Sequence, residues 1–234
     1  MNRYTCARII VFLYLLILIL MYLPIGYCAF YGGGEDIVDS FAGLILFWPS
    51  WILLGVLGLC QYLLLTISVK DTGDYEIKKR SLWVPLIAAG LLVGLLEIGI
   101  VMSISFAAGA ENVDSSWEGI IISMWILVFF GNWILWWRIF RKMWKKSKDA
   151  QGFIKDTSKI LRKGSLLELV VAIPCHIIVR QRGDCSAPVF TFIAIILGCG
   201  IALLSFGPGL YYCFMARKEK MSSKSKLMSE EEKE

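Results

Sequence analysis

Residues Gly164 to Cys185 read GSLLELVVAIPCHIIVRQRGDC, and how this stretch meets a membrane decides the fold. Its apolar run, Leu166 to Val179, is 14 residues long. At about 1.5 Å per residue, such a helix reaches roughly 21 Å, short of the roughly 30 Å hydrocarbon core. Two arrangements are open. A helix that begins earlier, near Ile160, crosses the membrane and gives six spans. A re-entrant element gives five spans and leaves the tail on the far side. The tail carries six basic residues (Arg217, Lys218, Lys220, Lys224, Lys226 and Lys233), against Arg180 and Arg182 in the loop after the run. Cytoplasmic segments hold the excess of Lys and Arg, so the charges favour six spans. The shortness of the run and Pro174 favour the re-entrant element.

Outward from this stretch the chain is apolar in long runs. It is 57% hydrophobic with a mean hydropathy of +0.66, where soluble domains are about 45–50% apolar. The runs are Ile9–Leu23, Phe41–Val69, Leu82–Ala108, Gly119–Trp137 and Val189–Ala216. The expected fold is all-α, a polytopic helical integral membrane protein. The first run follows Arg3 and Arg8, as in a signal peptide. The apolar and aromatic residues out to Tyr31 favour a retained helix. Gly90 and Gly94 are spaced for close helix packing. Trp133, Trp136 and Trp137 are placed for an aromatic belt at a membrane interface.

The net charge of +5 is distributed as topology requires, with no signature of nucleic-acid binding. The loops Gly32–Ser40 and Gly109–Glu118 are acidic and contain no Lys or Arg. They are expected outside. The N-terminus, the Lys70 loop, the Arg138–Lys163 segment and the C-terminus are expected in the cytoplasm, at the cell's inner membrane. Within 138–163 the apolar residues recur at helical spacing with basic residues between them. This predicts an amphipathic interfacial segment on anionic lipids, broken at Gly152. Four regions follow: four spans over 1–137, the basic segment over 138–163, a helix pair over 164–216, and a disordered tail over 217–234.

The candidate chemistry lies in the opening stretch. On a helix Glu168, His176 and Arg180 fall within about a third of the circumference, as one polar stripe. Ionisable groups at membrane depth are costly and mark function by default. Glu97, inside the third run, is a further candidate partner. Cys175, His176 and Cys185 form a weak ligand set for a soft metal such as Zn or Cu(I). Cys175 or Cys185, beside Arg180 or Arg182, is a candidate reactive thiol. Each also has a plain reading: Glu168 paired with Arg162 or Lys163, His176 a packed hydrogen-bonding residue, the arginines flanking anchors, and the cysteines small hydrophobes. The seven cysteines are odd in number and irregularly spaced, against a disulfide framework. Cys28 and Cys185 can pair only if both face outside.

Glu168, Leu169, Pro174, His176, Arg180, Arg182 and Cys185 together resemble a pattern in uncharacterised bacterial polytopic membrane proteins. That pattern keeps a Glu-Leu pair, Pro-x-His, Arg-x-Arg and one or two cysteines. Cys185-Ser186 stands where some members have paired cysteines, which weakens a metal reading. The resemblance covers roughly the last third of the chain and implies the site's location, with no activity attached. The expected function is therefore binding of a membrane-protein partner or small ligand at Glu168–Arg182, without catalysis. The alternatives are a membrane-embedded thiol or metal enzyme, and a small proton-coupled transporter using Glu97 and His176.

Overall fold

The computed structural model describes residues 3–31, 48–71, 83–109, 115–147, 150–182 and 187–231. The helices are α1 (Arg3–Tyr31), α2 (Trp48–Asp71), α3 (Trp83–Ala107), α4 (Ser115–Lys146), α5 (Ala150–Arg182) and α6 (Ala187–Glu231). Each is long and apolar enough to cross a membrane, and there is no strand among the described residues. The protein is an all-α, polytopic helical membrane protein. A helix satisfies its backbone polar groups internally, which a lipid solvent demands.

The opening stretch does not stand alone. It forms the second part of α5, a continuous helix of 33 residues that runs through Pro174. At about 1.5 Å per residue, α5 reaches roughly 50 Å, enough to cross the hydrocarbon. No chain reversal interrupts it, so the re-entrant arrangement is not the one observed. The basic residues of 138–163 are divided between two helices. Arg138 to Lys146 prolong α4, and α5 begins at Ala150. Gly152 therefore sits within α5 and is not the break. The polar tail, expected to be disordered, continues α6 as helix as far as Glu231. Its Lys, Glu, Met and Leu residues are good helix formers.

Packing centres on α3 and α6. Helix α6 touches α1, α2, α3 and α5, while α3 touches α2, α4, α5 and α6. The main core gathers Tyr14, Leu18, Leu57, Leu92, Leu96, Leu161 and Ile201 from five of the helices. Small residues set the spacing. Gly90 lies against the backbone of Trp137 and Trp133, and Gly94 against Phe129 and Trp133, so this pair seats α4 on α3. Tyr14 donates its hydroxyl to the Gly200 carbonyl at 3.2 Å, joining α1 to α6. Gly207 leaves the space that the Gln61 side chain fills, joining α2 to α6.

Candidate functional site

Three faces of α3 and α5 settle where the acids point. On α3, Gly90, Gly94 and Glu97 follow one face, seven residues or two turns in all, toward α4. Leu96 and Gly99 lie on another, toward α5. On α5, Leu161, Ser165, Glu168, Ala172 and Val179 are buried in a helical rhythm, whereas Leu166, Leu167 and Val170 face outward. Gly164 lies beside Leu96 and Glu168 beside Gly99, so α3 and α5 run parallel. Glu168 also lies beside Gly198, and His176 meets Thr191, so α6 runs antiparallel to α5.

Glu168 occupies the centre of that three-helix contact with 0% exposure. Its carboxyl fills a notch: a Cβ on Gly99 would collide with Oε1, and one on Gly198 would come within 2.9 Å of Oε2. Neither oxygen has a hydrogen-bond partner among the described residues. The pairing with Arg162 or Lys163 considered from sequence is thus not formed, and both those residues are exposed. Two further buried hydroxyls lack partners on the same faces. Ser165 is one turn before Glu168, and Ser103 is one turn beyond Gly99. A polar group buried without a partner is costly, and a charge far more so.

The other candidates go elsewhere. Trp136 donates its indole N–H to Glu97 Oε1 at 2.7 Å, while Glu97 Oε2 is buried without a partner. Glu97 therefore serves the α3–α4 contact, away from His176. Trp133 likewise donates to the Ile87 carbonyl at 3.2 Å. These tryptophans tie helices together, a use the belt reading did not include. His176 Nδ1 lies 2.8 Å from Thr191 Oγ1, and the Thr191 hydroxyl donates to the Pro188 carbonyl at 3.1 Å. With that proton committed, the network assigns Nδ1–H as the donor to Thr191 and Nε2 as the ring's acceptor. The ring also packs against Phe192, with centroids 5.6 Å apart.

Arg182 closes the end of the seam at the C-terminus of α3. Its Nη2 donates to the Ala107 carbonyl at 2.6 Å and Nη1 to Phe106 at 3.5 Å. These are terminal carbonyls of α3, which have no partner within their own helix. Gly109 has a φ of 93°, a left-handed conformation, and donates back to Phe106 at 3.0 Å. A cation at a helix C-terminus is also favoured by the backbone dipoles. Phe106 stacks on Phe190 with centroids 5.0 Å apart, so α3, α5 and α6 meet here again.

Arg180 is exposed, so the polar stripe resolves into three separate environments. Relative to Glu168, His176 and Arg180 are rotated by about 80° and 120° around the helix. That rotation is enough to turn one residue to the core, one to a neighbouring helix and one outward. Cys175 is half-buried with a free thiol. Cys185 lies outside the described residues, as does the side chain of Cys28. Among the described residues, no group of three His, Cys, Asp or Glu side chains is placed to hold a metal. Comparison with family models, with curated proteins and with solved structures finds no match.

Proposed function

We propose that this multi-pass membrane protein binds a small ligand in the polar seam between α3, α5 and α6, and that Glu168 is the group that takes it. One observation carries the proposal: a fully buried carboxyl with both oxygens unpartnered among the described residues, at the junction of three helices. The notch made by Gly99 and Gly198 admits the carboxyl and little else. The ligand class that suits it is a proton or a small monovalent cation. The Ser165 and Ser103 hydroxyls are candidate neutral oxygen donors, the type that hard cations prefer. His176 and Arg182 hold together the seam's end at the C-terminus of α3. Cell-membrane location, with both termini in the cytoplasm, agrees with six spans and with the distribution of Lys and Arg.

A Glu97–His176 relay gains no support, because α4 holds Glu97 and α6 holds His176. An enzyme based on Cys175 and Cys185 gains no support from the described residues either.

Infrared difference spectroscopy on the protein in nanodiscs tests the proposal. Raising pH, or adding Na⁺ at fixed pH, should convert a protonated-carboxyl band into carboxylate bands. That change should vanish in Glu168→Gln and persist in Glu97→Gln. A spectrum unchanged by pH and by Na⁺, Li⁺ or K⁺ would sink it. Response to pH alone identifies the ligand as the proton.

A further inference from the structure

The part of α5 before Glu168 presents an unusual surface. Lys155, Lys159, Arg162 and Lys163 are all exposed, with Asp156 the one acid among them in this segment. The facing segment of α6, residues 203–217, contains no acid. Two adjoining cavities run along the junction. The larger, about 690 Å³, has Gln151, Lys155, Ser158 and Arg162 on one wall and Ser205 and Tyr212 on the other. The second, about 440 Å³, continues toward Glu168 past Leu166, Leu169 and Ala202. Arg162 and Phe206 line both cavities, with the guanidinium 5.5 Å from the ring centroid.

The depth of these cations is the telling feature. Phe206 lies eleven residues before Arg217, where the apolar run of α6 ends. At about 1.5 Å per residue, Arg162 therefore sits roughly 16 Å inside that run. The register with α3 agrees, because Gly164 is level with Leu96, near the middle of Trp83–Ala107. Cations at such depth need a counter-charge or a wet, shaped site. The groove's polarity is ordered along the membrane normal. Its charged part runs from the basic end of the bundle inward to Arg162, and its apolar part, around Leu166 and Leu169, lies at the level of the bilayer centre. That apolar part is open to lipid, since Leu166 and Phe206 are among the exposed hydrophobics. A phospholipid of the leaflet at the basic end has the same order, with phosphate first and acyl chain inward.

We propose that this groove seats one anionic phospholipid drawn inward from the leaflet at the basic end, with its phosphate below headgroup level between Lys155 and Arg162 and an acyl chain along Leu166, Leu169 and Phe206. Ser158 and Gln151 are placed to donate to headgroup oxygens. The proposal stands independently of the Glu168 site.

Native mass spectrometry tests it on the full chain. The protein is released from nanodiscs of equal phosphatidylglycerol and phosphatidylcholine with identical acyl chains. One phosphatidylglycerol should be retained, with a preference of about tenfold or more. Lys155→Ala with Arg162→Ala should remove the preference. Lys142→Ala with Lys145→Ala, on α4, should leave it intact. Excess water-soluble glycerol phosphate should not displace the lipid. Equal retention of both lipids overturns the proposal. So does equal loss in the α4 variant, which means diffuse surface attraction, or displacement by glycerol phosphate, which means a soluble-anion site. If the double variant does not fold, Leu166→Trp supplies a second readout. Its added fluorescence should be quenched more by brominated-chain phosphatidylglycerol than by the brominated phosphatidylcholine, and equal quenching overturns the seat.

Discussion

At Glu168 the deciding atoms are the ones that Gly99 and Gly198 lack. The carboxyl and the two glycines form a single packing unit, so their substitutions should not add. Gly99→Ala alone should destabilise by about 1–3 kcal/mol, because the new methyl and Oε1 claim the same space. Made in a Glu168→Ala background, the same change should cost far less. A double-mutant cycle from thermal unfolding in detergent measures the coupling. Additive losses would mean that the notch is not what holds the carboxyl. An acid inside an apolar run announces itself in the sequence, so Glu168 was legible as a candidate. Its glycine partners lie 69 residues before it and 30 after it, and no local spacing connects them. The same limit hid Trp136 from Glu97.

Helix α5 shows why one element resisted prediction. Hydropathy finds its apolar part and stops at Arg162 and Lys163, because it averages over every face. The helix continues because Phe153, Ile154, Thr157 and Leu161 bury the face turned to the bundle while the cations turn outward. The apolar parts of the other spans were legible, but the polar extensions of α4 to Lys146 and of α6 to Glu231 were not. Rotation was the harder part: a stripe a third of the circumference wide met three different neighbours. Helix α4 poses the opposite problem, because it is held almost wholly by α3. Trp136→Phe removes the indole hydrogen bond to Glu97 and leaves its carboxyl, with Oε2 already buried, without a donor among the described residues. It should cost about 1–2 kcal/mol, within the range for interhelical bonds in membranes. Adding Glu97→Leu should restore most of that loss in the same unfolding assay. No restoration would mean that the indole acts by packing alone.

For the whole molecule, six crossings set the sides. The loop after α5 should lie opposite the basic segment and the tail. In a chain keeping Cys185 alone among the cysteines, a membrane-impermeant thiol reagent should label intact cells. A cysteine placed at Ser147 should label only after lysis. Labelling of both positions from one side would mean that α5 does not cross, against its continuous 33-residue helix. The alternation of acidic and basic loops in the sequence is the ground for this prediction. The arrangement of the helices around α3 and α6 was not legible in the sequence, because it depends on contacts between segments far apart in the chain.

Helix α6 supplies neighbours to α1, α2, α3 and α5, yet it follows all of them in the chain. A growing chain with five spans inserted still lacks Gly200 for Tyr14, Gly207 for Gln61 and Gly198 for Glu168. Its polar side chains must wait in lipid or beside the insertion machinery. Closure of the bundle around these three side chains therefore waits until α6 has been made.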